Sequence, residues 1–366
     1  MDNERLQSLL EYISENIVTW NEQKYIPRDG WLTFGRQGII GISMDKEMGI
    51  KAFANIIAGF CQFKNVGLIS SFSVNEIALN LLARFDSSLA QDAKAEILEG
   101  RKNVSMCITE DGAGSDVAAI ASEAVAAEGG FVLNGKKTMI SNGPIADYFI
   151  VAVKTNKEVA AWRGISLFLI KKDDPGVKIS PALLKAGAHL MPLGEIEFEN
   201  LKLPEERLLG KKNRGFEHLM SVLTFERVVI AIMSTSMSED ALSSAMGYLS
   251  EREVFGKKLR DYQNTKMVIA ELFSRTRVMR VFINQIMYDF DNGIMDKSDV
   301  IIGKIMASEL LKDIIDSLYK LYGARGYLAS HWIANYYNDV RWINAGGGSN
   351  ELLRDVLGNN VVHGGS

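Results

Sequence analysis

Proline is scarce in this chain, six in 366 residues. That shortage argues against many short strands and turns and favours long uninterrupted helices. Cysteine is scarcer, with only Cys61 and Cys107, which excludes a disulfide framework and a cysteine-rich metal site. The four histidines, His189, His218, His331 and His363, show no i,i+4 pair and no zinc spacing, so no metal is expected. Positive charge is not in excess either. Lys and Arg number 41 against 45 Asp and Glu, a net charge of −4, which argues against nucleic acid as a partner. No uncharged apolar run reaches the roughly 18–20 residues of a membrane span. The acidic, amphipathic start MDNERLQSLL is unlike a secretory signal or an Arg-rich transit peptide. These absences point to a soluble, reduced, cytoplasmic protein.

What is present is near average: 47% hydrophobic and 23% charged residues, which excludes wholesale disorder, collagen and coiled coil. The length suggests two or three domains with sizeable cores. Along the chain the pattern divides in three, at residues 1–102, 103–206 and 207–366. In the first stretch Leu6, Leu9, Leu10, Ile13 and Ile17 recur at helical spacing. A second stripe runs from Leu68 to Phe85, broken on one side by Asn75 and Glu76, and Asp86-Ser87-Ser88 is a polar joint. In the second stretch the period shortens. Glu128-Gly129-Gly130 and Asn134-Gly135 both have hairpin chemistry, and Tyr148–Val153, Ile165–Ile170 and Ile196–Leu201 read as strands of a small antiparallel sheet or barrel. Helical periodicity then returns over Phe216–Tyr248, Thr265–Phe290 and Val300–Tyr322, and Ser349 is a plausible N-cap of a last helix. Helices, strands, then helices fit no βαβ repeat, so a nicotinamide-type Rossmann domain is not expected.

Four segments can carry chemistry. Thr109-Glu110-Asp111-Gly112-Ala113-Gly114-Ser115-Asp116 allows close backbone approach and offers N–H and hydroxyl groups to a phosphate or ring; as a bare pattern it is also an ordinary turn entering the sheet. Gly346-Gly347-Gly348-Ser349-Asn350-Glu351 precedes a helix N-terminus and can bind an anion, or be a flexible joint; with no Gly-Lys-Ser/Thr after it, it is not a nucleoside-triphosphate loop. Glu226-Arg227 sits in a helical run where the i±3 and i±4 neighbours of Glu226 are Val222, Leu223, Val229 and Ile230. No polar stripe carries that charge to water, so the carboxyl pKa should rise toward the range of a general base; a buried Glu–Arg pair between helices is the competing reading. Arg252-Glu253-Val254-Phe255-Gly256-Lys257, with Tyr262-Gln263, reads on composition as a solvated helix end.

Taken in order, these segments resemble one family. Thr-Glu-x-Gly-Ala-Gly-Ser-Asp, Asn-Gly-x-Lys-x-x-Ile-Ser-Asn, Glu-Arg-x-x-Phe-Gly and Gly-Gly-Ser-Asn-Glu are similar, in sequence and spacing, to the motifs of acyl-CoA dehydrogenases, over about residues 26–361. The resemblance implies a mainly α fold with a central β domain: an N-terminal helical domain, a middle antiparallel β-barrel or sheet, and a C-terminal four-helix bundle. It also implies FAD, a homotetramer or homodimer, and oxidation of an acyl thioester to its α,β-enoyl product by α-proton removal and β-hydride transfer to flavin N5. Electron-transfer flavoprotein is the kind of acceptor implied. By the same match Met106, Ile108, Thr109, Gly114 and Ser115 contact the flavin and its pyrophosphate, and Met139, Ile140 and Ser141 lie beside its ring. Arg252, Phe255 and Gln263, with Lys320, Gly323 and Ala324, correspond to positions that hold a neighbouring subunit's flavin. Ser349 and Glu351 flank the cofactor, while Ser115, Thr224, Arg227 and Gly348 fall to the substrate.

The departures from the family pattern shape the expected chemistry. Many members carry the catalytic glutamate where this chain has Gly347, which cannot take a proton. A minority place the base just before the arginine of the long helix, where Glu226 stands. The resemblance and the residue-level reading therefore converge on Glu226, with the Gly347 N–H left to hold the thioester carbonyl. Lys320 and Ala324 replace a Gln and a Gly, and His189 and Met191 sit where polar or arginine residues often line the thioester channel. Met44-Asp45-Lys46-Glu47-Met48-Gly49 stands where Pro-Glu-Glu-Tyr-Gly-Gly is usual. A small acyl group on an acyl-carrier protein, as in secondary metabolism, thus stands beside CoA as the substrate. A flavin-containing scaffold without catalysis and a flavin oxidase releasing peroxide are the alternatives from other classes.

Overall fold

Helices form wherever the apolar period is that of a helix, and the described residues of the first and last regions are mainly helical. The structure is a computed structural model that describes residues 3–45 and 47–364. Met1 and Asp2 of the acidic start, and Lys46 of the Met44–Gly49 departure, lie outside the described residues. The first region contains α1 (Asn3–Gln23), α2 (Arg28–Arg36), α3 (Gly49–Cys61), α4 (Val66–Leu82) and α5 (Ser88–Leu98). Asn65 caps α4 by accepting from the Leu68 N–H, and Ser87 caps α5 by accepting from Ala90. Phe34, Phe53, Phe60 and Phe72 interlock at centroid distances of 5.5–6.1 Å. Asn75 and Glu76 do not face water as a broken stripe would suggest; both are buried. Asn75 accepts from the Val104 N–H at 3.1 Å, and Glu76 accepts from the Gly41 N–H and from Ser43 Oγ.

The middle region is a sheet of β1 (Val104–Cys107), β2 (Glu123–Ala127), β3 (Gly130–Ser141), β4 (Tyr148–Lys154), β5 (Ile165–Lys171), β6 (Val177–Ile179), β7 (Leu193–Pro204) and β8 (Leu208–Leu209). The order is β6-β7-β3-β2-β4-β5-β8, with β1 also on β4. It is mixed rather than purely antiparallel, since β1 pairs with β4 in parallel and Glu123 of β2 pairs with Lys154 in the same sense. Every residue of β4 is buried, as a strand covered on both faces must be. Its alternation divides two cores: Tyr148, Ile150 and Ala152 join the large core shared with the helices, and Phe149, Val151 and Val153 join a second core within the sheet. Each fully buried aliphatic side chain on such a strand contributes about 1.5–3 kcal/mol.

One expected turn is overturned. Ala127 pairs with Gly130 across the first hairpin, but Asn134-Gly135 lies inside the long strand β3, where the register to β7 shifts between Leu133 and Gly135. Gly135 has φ +150°, and a Cβ there would sit 2.2 Å from Ser122 Oγ. This glycine serves a bulge and a close approach rather than a turn.

The last region holds α6 (Gly215–Glu251), the two-residue strands β9 (Glu253–Val254) and β10 (Lys257–Lys258), α7 (Gln263–Asp291), α8 (Lys297–Tyr322), the short α9 (Trp332–Asp339) and α10 (Asn350–His363). Helix α6 packs on α7 and α8, and also on α3 and α4 of the first region. Lys64 pairs with Asp240, while Arg84 donates to Ser221 Oγ, so α4 and α6 run antiparallel. Among the described residues α6 is the one helix long and apolar enough to cross a membrane, and 67% of its most apolar window is buried within the fold. It is a core helix, and it carries Glu226 and Arg227 in its first half.

Candidate active site

Hydrogen bonds from β1 and the segment after it to β3 bring two sequence-distant motifs together. The Thr138 N–H donates to Thr109 O at 2.9 Å, and Ser105 Oγ donates to Ser141 O at 2.9 Å. Met106, Ile108 and Thr109 thereby lie alongside Met139, Ile140 and Ser141. A buried ion pair braces this junction: Lys137, fully buried, donates to Glu110 Oε1 at 2.6 Å and to Ile108 O at 3.1 Å. Glu110 also accepts from the Ala121 N–H at 2.6 Å and the Ser122 N–H at 3.1 Å. Burial would raise its carboxyl, but these bonds outweigh it and hold the group below the usual carboxylate range.

The surface beside this brace is shaped to receive a group. Gly112, Gly114 and Ser115 are exposed, and a Cβ on Gly112 or Gly114 would meet nothing within 4 Å. Met139, 57% exposed, holds φ +54°, a left-handed conformation that is uncommon for a residue with a Cβ and clusters at functional sites. An open backbone, free hydroxyls and a strained, exposed thioether suit a large cofactor with a phosphate and a flat ring.

The second cluster is built by α6 and the turn before α10. The Gly347 N–H donates to Glu226 Oε1 at 3.1 Å, and Arg227 Nε donates to Gly347 O at 2.9 Å. Gly347 has φ +65°, and a Cβ there would lie 3.1 Å from Ile230 Cδ1, so both conformation and space call for glycine. Val222, Val229 and Ile230 beside Glu226 are buried. Glu226 itself keeps a partly exposed surface, yet protein surrounds its carboxyl. Burial therefore raises its pKa, only partly opposed by the charge of Arg227, the Gly347 N–H and the charge of Lys304. Among the described residues no cation lies within ion-pair distance of Glu226, so the buried Glu–Arg pair does not form. Arg227 is lowered by burial.

The other site residues named from the sequence divide between these clusters and a third. Ser349 caps α10 by accepting from the Leu352 N–H at 3.2 Å, and Glu351 is exposed in its first turn. The carbonyl of Gly348 points to Lys304 at 2.9 Å. The Thr224 hydroxyl donates to Met220 O at 3.0 Å, and its two-residue offset puts it on another face of α6 from Glu226. His189 is exposed and Met191 buried. Arg252, Phe255, Gln263, Lys320, Gly323 and Ala324 are all exposed and gather where α6 and α8 end. Tyr248 and Tyr322 stack there at 4.4 Å. About 39 Å of helix rise separates Glu226 from Arg252, so this third cluster does not share a cofactor with Glu226 of the same chain. Phe255, 97% exposed with φ +50°, is its most protruding group.

Sequence reasoning missed two anchors. Lys137 was only a letter in a motif, although its place beside Asn-Gly in an apolar run could have marked a buried cation. Lys304 left no local signal, since its acceptors Asn344, Gly348 and Asn350 are 40–46 residues away.

Comparison with known proteins agrees with this layout. Residues 105–201 match the acyl-CoA dehydrogenase middle domain, and residues 213–362 match the acyl-CoA dehydrogenase C-terminal domain. Long-chain specific acyl-CoA dehydrogenase, mitochondrial, from Sus scrofa is 28% identical over 367 residues, covering 98% of this chain and 85% of that protein. The crystal structure of acyl-CoA dehydrogenase from Geobacillus kaustophilus superposes with a TM-score of 0.92 at 26% identity, covering 99% of each chain. The prolyl acyl carrier protein oxidase AnaB superposes with a TM-score of 0.91 at 21% identity, over 99% of this chain and 100% of that one, a likeness of fold alone.

Proposed function

Since the chain belongs to the acyl-CoA dehydrogenase family, and is thus an FAD-dependent oxidoreductase, we propose that it converts an acyl thioester to the α,β-unsaturated thioester with Glu226 as its base. One observation carries the assignment: Glu226 is a carboxylate enclosed by protein, with one backbone N–H and, among the described residues, no ion-pair partner. Such a group holds a proton more tightly than an exposed carboxylate does, as a general base requires. Gly347, where many relatives keep their glutamate, has no side chain to do so.

When bound, FAD supplies the acceptor for the substrate's β-hydride. Met106, Ile108, Thr109, Gly114, Ser115, Met139, Ile140 and Ser141 are the residues that would hold it, with Ser349 and Glu351 at the start of α10. Glu226 takes the α-proton on a carboxylate oxygen. In the resting chain that carboxylate accepts the Gly347 N–H; once it turns toward the α-carbon, the N–H is free for the thioester carbonyl. There it opposes the charge that develops on the oxygen as the proton leaves. Arg227, anchored on Gly347 O, keeps the turn in register with α6 and lies toward the pantetheine arm. The distal cluster around Arg252, Phe255 and Gln263 is left for the cofactor of a second copy of the chain, which makes the active assembly a homo-oligomer. Electrons then leave to an external acceptor of the electron-transfer flavoprotein kind.

The test is anaerobic. FAD-loaded protein is offered the same short acyl group on CoA and on a phosphopantetheinyl carrier protein, and the flavin absorbance is followed. Bleaching with formation of the enoyl product is expected, and the carrier that bleaches faster identifies the physiological thioester. Failure of every acyl thioester to bleach bound FAD would overturn the proposal and favour a scaffold.

A further inference from the structure

Behind the Gly346–Gly348 turn lies a group that the reaction above leaves unused. Lys304, in the first half of α8, is fully buried. Its ammonium donates to Asn344 O at 3.1 Å, Gly348 O at 2.9 Å and Asn350 Oδ1 at 2.7 Å, which accounts for all three of its protons. Asn344 and Gly348 stand on the two stems of the turn, and Asn350 opens α10. Asn350 in turn donates to Ser308 Oγ at 3.0 Å, one helical turn along α8. The carbonyls of residues 344 and 348 are thus held by Lys304, and that of Gly347 by Arg227. With its carbonyls held from both sides, the turn keeps the Gly347 N–H on Glu226.

Such a buried cation is costly unless its surroundings use it. No carboxylate forms an ion pair with Lys304 among the described residues. The charged groups facing it are Glu226 and Arg227 from α6, Glu351 from α10 and Glu309 on α8 itself, and Glu309 is already paired with Arg354. Resting on the assignment of Glu226 as base, we propose that Lys304 is a positioning residue for that base, holding the Gly347 turn against Glu226 and supplying a fixed positive charge behind it. Burial lowers the ammonium to about 8, so it remains mostly protonated at neutral pH.

The experiment reads the Glu226 carboxyl directly, without a substrate. Infrared difference spectra of the FAD-loaded full chain are recorded through a pH titration, with Glu226→Gln used to assign the band. In Lys304→Met, which removes charge and donors at similar bulk, the carboxyl should protonate about one pH unit higher, a tenfold change in its protonation ratio. Lys304→Arg, which keeps the charge, should stay close to wild type. If Lys304→Met fails to fold, Asn350→Asp takes its place. It keeps an acceptor for Lys304 and seats a carboxylate against the ammonium, so the midpoint should again move upward. A folded Lys304→Met or Asn350→Asp protein with the wild-type midpoint overturns the proposal. Flavin bleaching in Glu226→Gln is read separately: if it persists, Glu226 is not the base, while the effect of Lys304 on the carboxyl still stands or falls by the titration.

Discussion

Glu110 and Glu226 are both carboxylates set into protein interior, yet they are tuned in opposite directions. Glu110, in the sheet, has the Lys137 ammonium at 2.6 Å and two backbone N–H donors, and is held below the usual carboxylate range. Glu226, on α6, has one N–H at 3.1 Å and no ion-pair partner among the described residues, and burial raises it. The difference lies in the donors, since burial pushes both groups upward. A carboxylate meant to stay ionised and brace a junction is given a cation in contact. One meant to exchange a proton is left with a single weak donor and a cation behind a turn. The sheet brace holds the surface proposed for the cofactor, and the loose carboxylate is the proposed base.

Perturbing each side should sharpen that contrast. Lys137→Met strips Glu110 of its cation and leaves a buried charge, which should cost about 3–5 kcal/mol of stability, read from urea denaturation, together with weaker FAD retention. A Lys137→Met protein as stable as wild type would erase the distinction. Gly347→Ala forces a Cβ into φ +65° at 3.1 Å from Ile230 Cδ1. It should cost about 1–2 kcal/mol in conformational strain, with a larger proportional loss in flavin bleaching than in thermal stability. The smallest effect expected is in the pH dependence of stability. Because folding raises Glu226, its ionised form costs stability at neutral pH, and that cost disappears as pH falls through the folded value. Glu226→Gln should therefore gain about 1 kcal/mol at pH 7, with the gain vanishing in acid. Glu110 behaves in the opposite sense: its lowered pKa contributes stability above its unfolded value, lost as pH falls through the folded one. Denaturation of wild type and Glu226→Gln between neutral pH and pH 4 checks the first sign, and the same comparison with Glu110→Gln, carried below pH 4, checks the second.

Much of this was legible in the sequence because it was local. The apolar neighbours of Glu226 are its own helical neighbours, and Ser349 follows three glycines and caps the helix that comes after it. The long helices needed only an apolar period and the lack of proline. What escaped was set by partners far along the chain. Asn134-Gly135 has the letters of a turn, but Ser122 and β7 make it a bulge within a strand. Asn75 and Glu76 look like an exposed interruption, yet Val104 and the Gly41–Ser43 segment give them buried partners. Parallel pairing on β4 depends on where β1 and β2 are delivered, which no short pattern carries. Lys304 was invisible for the same reason, because its acceptors come from beyond the end of its own helix.

The central claim is that Glu226 removes the proton, and one comparison tests it most directly. Wild type and Glu226→Gln, both loaded with FAD, are mixed anaerobically with an acyl thioester that bleaches the wild-type flavin, and the bleaching rates are compared. The expected result is unchanged FAD content and a rate lower by about 10³-fold in Glu226→Gln, within the range that general base catalysis supplies. Bleaching of Glu226→Gln at the wild-type rate would contradict the account.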